Sequence, residues 1–423
     1  MSIAFPIIPW CKGSNIYEVN IRQYSKEGTI NAFVKHLRRL KDMGVSILWL
    51  MPITPISIAK RQGSYGSYYA ASSYIDIDPL YGTHDDFKKL IVQAHKTGLK
   101  VIIDWVANHT GYDHQWTSKF PHFYHRDASG NFAGLHGWID VIDLNYTIPE
   151  MRSEMIRSMK YWISNFDIDG FRCDMARTVP LDFWREARAE CDALKPLLWL
   201  AECEVFDYHE VFDITYGWEA MRAFDKYFAT NEITLPQIKE ILKRYLKYPA
   251  GTRKLLFTSN HDENTYYGTE YEKYGYAAQA VAVFTCTWPG IPLIYSGQEL
   301  PNKKRLSFFE KDEIEWKGKA ALQDFYKVLL NFRENNKAMH EGASVLILET
   351  INEDILAYLC QKEEDKVLTL LNFGKQSAQF ELEHPFAAGN YVDLFSKEML
   401  SLKESQSYFL NPGEFKVYYF GDK

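Results

Sequence analysis

The stretch GFRCDMA, residues 170–176, decides how this sequence of 423 residues is read. It has the apolar texture of a buried strand, yet it carries Arg172 and Asp174 two residues apart. Alternation along a strand places residues i and i+2 on one face, so the two charges point one way and Phe171 and Cys173 the other. Charges are rarely buried without partners. A strand that ends in such a pair asks for a fold whose strand ends meet at a polar site.

The flanking segments supply that fold. A helical pattern over 148–166 precedes the stretch and another over 181–194 follows it. Farther out, short apolar runs read as strands: NIYEVNI (15–21), SILWLMP (46–52), KVIIDWV (100–106), LLWLAECE (197–204), DITYGWEA (213–220), LLFTSNHDEN (255–264) and IPLIYSGQE (291–299). Helices are predicted between them over 29–45, 84–98, 235–248, 276–288 and 318–336. In the first, Ile30, Phe33, Leu37 and Leu40 share a face. In the second, Thr83 and Asp86 suit a capping box, and Phe87, Leu90, Ile91 and Ala94 form the buried stripe.

Eight strand–helix units are the number that closes a parallel barrel. Near-continuous apolar strands also suit a sheet covered on both faces. The predicted fold is therefore α/β, a (β/α)8 TIM barrel over residues 1–340. After the third strand the rhythm fails, and residues 105–147 are expected to form a short inserted loop subdomain. From residue 341 the texture changes to short strands separated by polar turns, among them VLILETI, ILAYLCQ, KVLTLLNF and EFKVYYF. This predicts a C-terminal all-β sandwich domain over 341–423.

Composition narrows the partners. A net charge of −7 with mixed signs argues against a protein that tracks nucleic-acid phosphates. No apolar run is long enough to span a bilayer, so no membrane partner is expected. The N-terminal MSIAFPIIPWCKG lacks a basic region and a small-residue cleavage site, and Pro6 and Pro9 interrupt it, so no signal peptide is recognised. Six cysteines without a CxxC pairing favour a reduced, cytoplasmic setting, although an exported protein without disulfides fits the same residues. Nothing in the sequence fixes the oligomeric state.

Chemistry gathers at the C-terminal strand ends, which converge on one mouth in a closed parallel barrel. The third strand brings Asp104, Asn108 and His109, the fourth Arg172 and Asp174, the fifth Glu202, and the seventh Asn260, His261 and Asp262. Cleaving a glycosidic bond with retention needs one ionised carboxylate and one protonated carboxyl close together. Arg172 is expected to hold Asp174 ionised by charge and hydrogen bonding. Glu202, in an apolar strand beside other carboxylates, is expected to have its pKa raised and so to hold a proton. By alternation Glu204 shares its face and is the weaker candidate.

DWVANH, GFRCDMA, LAECE and FTSNHDEN resemble, in order and spacing, the four signature regions of the α-amylase family of glycoside hydrolases. PGIPLIYSGQE resembles its eighth-strand motif and VIDLN the short motif that closes its inserted loop. The resemblance implies that Asp174 is the nucleophile, Glu202 the general acid/base and Asp262 the third, transition-state-stabilising carboxylate. It implies substrate-binding roles for His109, His261 and Arg172, with Tyr69, rather than Tyr68, as the aromatic floor under the sugar. Arg177 and Thr178 stand where many members carry a Lys-His pair on the leaving-group side, which makes Arg177 a substrate-binding candidate. Asn108 and Asp143 match positions that ligate a structural calcium in many members, although members without calcium keep both; the chemistry itself requires no cofactor.

The function so implied is a retaining glycoside hydrolase that cleaves α-1,4-glucosidic bonds in starch-type α-glucans or maltooligosaccharides through a covalent glucosyl-enzyme intermediate. A transglycosylase, or an α-glucosidase or maltodextrinase acting on short maltooligosaccharides, fits the same residues. A catalytically silent sugar- or partner-binding barrel is the third alternative, but such proteins usually lose a carboxylate and this sequence has all three.

Overall fold

The computed structural model describes residues 5, 8–248, 251–316, 320–340, 342–383 and 388–421. The strands in chain order are β1 (Ile16–Val19), β2 (Ile47–Leu50), β3 (Lys100–Trp105), the short pair β4 (His109–Gly111) and β5 (Val141–Asp143), then β6 (Gly170–Cys173), β7 (Leu198–Ala201), β8 (Ile214–Tyr216), β9 (Arg253–Phe257) and β10 (Ile291–Tyr295). Among the described residues, eight parallel strands close into a barrel in the cyclic order β1, β2, β3, β6, β7, β8, β9, β10. The remaining two, β4 and β5, form an antiparallel ribbon that rises from the end of β3.

The opening stretch shows why the barrel closes as it does. All four residues of β6 are buried. At Gly170 a Cβ would stand 2.1 Å from the carbonyl oxygen of Leu198, so only glycine lets β6 and β7 pair this closely. The β3–β6 register sets Asp104 directly beside Arg172. That pairing later decides where the guanidinium points.

Helices wrap the strands, and their sequence signals act as local physics requires. The helix His84–Thr97 starts in a reciprocal cap: Asp86 N–H donates to Thr83 Oγ1 at 3.2 Å, and Thr83 N–H donates to Asp86 Oδ2 at 3.0 Å. It stops at Gly98, whose φ of 84° lies in the left-handed region. Phe87, Leu90, Ile91 and Ala94 are buried along its inner face.

Three expectations are corrected. The helix expected over 29–45 is two pieces, Ile30–Val34 and Leu37–Asp42, although Ile30, Phe33, Leu37 and Leu40 are all buried. The strand expected over 213–220 ends at Tyr216, and an unpredicted helix, Trp218–Ala229, follows. Its Ala220, Met221, Ala223 and Phe224 recur at helical spacing on the buried side. The closing helix runs Gln323–Asn335; residues 318 and 319 of the expected span lie outside the described residues, as do residues 1–4, 6, 7, 341, 422 and 423 at the expected domain limits.

Beyond the barrel come β11 (Ser344–Leu348), β12 (Ile355–Lys362), β13 (Asp365–Asn372), β14 (Ala378–Glu383), β15 (Gly389–Asp393), β16 (Met399–Leu402), β17 (Ser405–Leu410) and β18 (Phe415–Phe420). Six of them form a sheet in the order β11-β12-β13-β18-β15-β16, and β14 pairs with β17. Leu359, Leu368 and Tyr391 of the larger sheet pack with Phe380 and Leu382 of the smaller, which makes a two-layer all-β unit. The other face of the larger sheet joins the barrel's own core through Leu356, Tyr358, Val367 and Val417. Tyr358 Oη and Thr287 Oγ1 share a 2.5 Å hydrogen bond across that seam. All six cysteines are buried. Among the described residues, no helix is long and apolar enough to cross a membrane.

Candidate active site

A cavity of about 330 Å³ opens at the C-terminal mouth of the barrel. Asp174, Glu202 and Asp262, distant in sequence, all line it, together with Tyr69, His109 and His261. Asp174 follows the last residue of β6, and Glu202 follows the last residue of β7. Asp262 lies on the turn after β9. Each acidic group therefore leaves the sheet where main-chain pairing ends, which frees its side chain to face the opening.

Arg172 organises the floor. Its guanidinium is buried and donates from Nη1 to Asp104 Oδ1 at 2.9 Å and to Asp174 Oδ1 at 2.8 Å. Its Nη2 stands 2.9 Å from Glu202 Oε1, an ion-pair contact without hydrogen-bond alignment. One cation thus grips three carboxylates, where the sequence pointed to one. The second oxygen of Glu202 accepts from Met175 N–H at 2.8 Å. Met175 sits in the left-handed region with φ of 42°, a strained turn that aims this amide at the carboxyl.

A second polar chain runs along the opposite wall. His261 Nδ1 meets Glu18 Oε1 at 2.5 Å, and its Nε2 meets Tyr69 Oη at 2.8 Å. Tyr69 Oη donates in turn to Asp104 Oδ2 at 3.2 Å, an oxygen that also accepts from Trp49 Nε1 at 3.1 Å. The chain Glu18–His261–Tyr69–Asp104–Arg172–Asp174 is continuous, so each member fixes the orientation of the next.

The electrostatics follow from crowding three acids around one guanidinium in a buried site. Burial pushes Glu202 up to about 7, with Arg172 pulling it down and Asp174 and Asp262 adding to the rise. Burial likewise raises Asp174 to about 6, against the pull of Arg172. Arg172 limits this rise by its charge and its hydrogen bond, acting in the direction that keeps Asp174 ionised. Burial drives His261 down, but Asp262 and Glu18 overcome it and lift the ring to about 9, so the imidazole is a second cation at neutral pH. Burial lowers His109 to about 3 and keeps it neutral.

The other predicted residues fall as follows. Tyr69 lines the cavity, with its ring stacked on His261 at 5.5 Å. Tyr68 is buried behind it under the Arg22 guanidinium, 3.7 Å from the ring centroid. Arg177 lies on the turn Ala176–Thr178, exposed and outside the cavity wall. Glu204 also lies away from the cavity: β7 stops at Ala201, strand alternation does not reach it, and it contacts Lys254 and Tyr245 instead. Asn108 and Asp143 meet at the base of the β4–β5 ribbon. Asn108 Nδ2 donates to Asp143 Oδ1 at 2.8 Å, and the other Asp143 oxygen accepts from Leu135 N–H. So arranged, the pair braces the inserted loop, and a cation that takes six to eight oxygens would need further ligands beside it. Among the described residues, no group of three or more His, Cys, Asp or Glu is placed to hold a metal ion.

Sequence reasoning passed over Glu18, and it left Asp104 without a role. Glu18 was visible as the single charge inside the apolar run NIYEVNI; it is fully buried and faces His261. Trp138, Asp140 and Phe308 also line the cavity from aperiodic loops that carry no strand or helix signal, and Tyr266 joins them from the π-helical turn Glu263–Tyr267.

Sequence and fold both match known proteins. The family model for the alpha-amylase catalytic domain matches residues 12–127, 126–196 and 198–338, and that for the maltogenic amylase C-terminal domain matches residues 345–418. The chain is 26% identical to the maltogenic alpha-amylase of Bacillus acidopullulyticus over 92% of this chain and 70% of that one. It is 24% identical to a cyclomaltodextrinase of Geobacillus thermopakistaniensis over 83% of this chain and 63% of that one. The crystal structure of the noncanonic maltogenic alpha-amylase AmyB from Thermotoga neapolitana superposes with a TM-score of 0.89 at 29% identity, covering 96% of this chain and 98% of that one.

Proposed function

The chain belongs to the α-amylase family of glycoside hydrolases, and from that premise we propose that it cleaves α-1,4-glucosidic bonds of maltooligosaccharides and starch-type glucans with retention of configuration. The observation that carries this reading is the meeting of Asp174, Glu202 and Asp262 in one cavity, with Arg172 gripping the first two.

Asp174 is held by Arg172 through Oδ1, which leaves Oδ2 to attack the anomeric carbon. As that C–O bond forms, Glu202 gives its proton to the glycosidic oxygen, and the bond to the leaving sugar breaks. The product is a glucosyl ester of Asp174. Glu202, now a carboxylate, takes a proton from water, whose oxygen attacks the same carbon and frees Asp174. Two displacements restore the starting configuration. The carboxylate of Asp262 accepts from hydroxyls of the sugar ring, the imidazolium of His261 stands beside it with Nε2 3.4 Å from Asp262 Oδ2, and the Tyr69 ring forms the floor. Every proton and electron pair in these steps is carried by protein groups, sugar and water.

Proton NMR of the first product of maltoheptaose cleavage tests the stereochemistry: the α-anomer is expected, and the β-anomer would overturn retention. A time course on maltoheptaose and soluble starch tests the substrate class. A second reading, preference for short maltooligosaccharides with transfer to sugar acceptors, draws on the maltogenic and cyclomaltodextrinase relatives and on the short inserted loop. Products longer than the substrate at high maltooligosaccharide concentration would support it.

A further inference from the structure

Asp140 is the lining group whose chemistry the reaction above leaves unused. It ends the inserted loop, one residue before β5, and is only 4% exposed. Its Oδ2 is buried with no hydrogen-bond partner among the described residues. A buried carboxylate oxygen with no protein donor is costly, because no protein hydrogen bond replaces its lost hydration.

Its surroundings explain what the missing partner is. Trp138, two residues earlier, is 39% exposed, lines the same cavity and meets His109 edge-on at 5.2 Å. Tyr266, from the turn after β9, is 52% exposed and leans on Phe308 at 5.8 Å. Burial, with the nearby charges of Asp262 and Asp140, raises the Tyr266 hydroxyl to about 12, so this ring stands in the field of both acids. Two aromatic faces, one from the inserted loop and one from the π-helical turn Glu263–Tyr267, thus share a cavity wall with one unmatched acceptor. Flat apolar faces and a carboxylate are complementary to a pyranose, which offers C–H faces and neighbouring hydroxyl donors.

We propose that Asp140 is a sugar-binding residue whose carboxylate accepts hydrogen bonds from hydroxyls of a glucosyl unit held at Trp138 and Tyr266, next to the unit that Asp174 attacks. The proposal rests on the reading of the cavity as an α-glucan site. It makes Asp140 a determinant of how the chain is gripped, not of the bond-breaking steps.

The test is calorimetric titration of maltoheptaose into the Asp174→Asn protein, with and without Asp140→Asn or Asp140→Ala. Affinity should fall about tenfold, as for loss of one charge-assisted hydrogen bond. In the otherwise unaltered enzyme KM should rise by a similar factor with kcat changed less, and the Asp140→Asn protein should melt no lower than its parent, since an unmatched charge is gone. Affinity unchanged within about twofold in both variants would overturn the proposal. So would weaker binding accompanied by a lower melting temperature, which would make Asp140 a structural support. Failure of the parent enzyme to cleave maltoheptaose would overturn the reaction assignment alone, because the titration still measures the contribution of Asp140. Absence of any maltoheptaose binding to the Asp174→Asn protein would overturn both.

Discussion

Arg172, Asp174 and Glu202 share one electrostatic problem, and its solution sets the working pH. Asp174 acts as a carboxylate, so activity rises as pH passes through about 6; Glu202 acts as an acid, so activity falls as pH passes through about 7. A plot of kcat/KM against pH should be a narrow bell between these limbs, and a profile flat from pH 5 to 9 would refute the two roles. In Glu202→Gln the alkaline limb should vanish along with most of the activity. Asp174→Asn should lose at least about a thousandfold in kcat on maltooligosaccharides while keeping the parent circular dichroism spectrum. Parent-level turnover by that variant would remove Asp174 from the nucleophile's place. The ion pair was legible in GFRCDMA because strand alternation is local information. The reach of the same guanidinium to Asp104 and Glu202 was not, because strand register is set by chain segments about seventy residues and thirty residues away.

At the level of elements, Asp169 ties the opposite end of the barrel together. It precedes β6, accepts from Val101 N–H of β3 at 2.9 Å, and meets His95 of the helix His84–Thr97 at 2.7 Å and Lys195, after the helix Leu181–Asp192, at 3.1 Å. Burial alone would raise its pKa, but the bonds from His95 and Val101 and the charge of Lys195 hold it at about 2. A folded pKa below the unfolded value contributes stability above about pH 4 and loses it as pH falls toward 2. Asp169→Asn should therefore lower unfolding free energy by about 2 kcal/mol at pH 7, with the difference shrinking as pH drops from about 4 to about 2. A gap of constant size across that range in urea titrations would contradict the assignment. Elements with clean period or caps, such as the helix His84–Thr97, were readable residue by residue. The helix Trp218–Ala229 was hidden because its start, DITYGWEA, reads as strand until Gly217 turns the chain. The residues that line the cavity from the inserted loop have neither period nor cap, so only tertiary structure brings them in.

Across the whole molecule, barrel and β-unit share a continuous apolar core. Phe325 stacks on Phe395 at 5.8 Å, Tyr276 Oη donates to the Phe373 carbonyl at 2.9 Å, and Tyr358 packs edge-on against Trp288 at 5.0 Å. Parts joined in this way should unfold together. Differential scanning calorimetry is expected to show one transition with matching calorimetric and van't Hoff enthalpies, and two resolved peaks would separate the parts. The burial of every cysteine has a practical consequence of its own. With Cys11, Cys173, Cys191, Cys203, Cys286 and Cys360 all shielded, the native protein should react only slowly with bulky maleimides. One sulfur added at Ile139, which is 64% exposed beside Trp138, would then take up a fluorophore almost alone and turn the rim of the cleft into an optical reporter of sugar arrival.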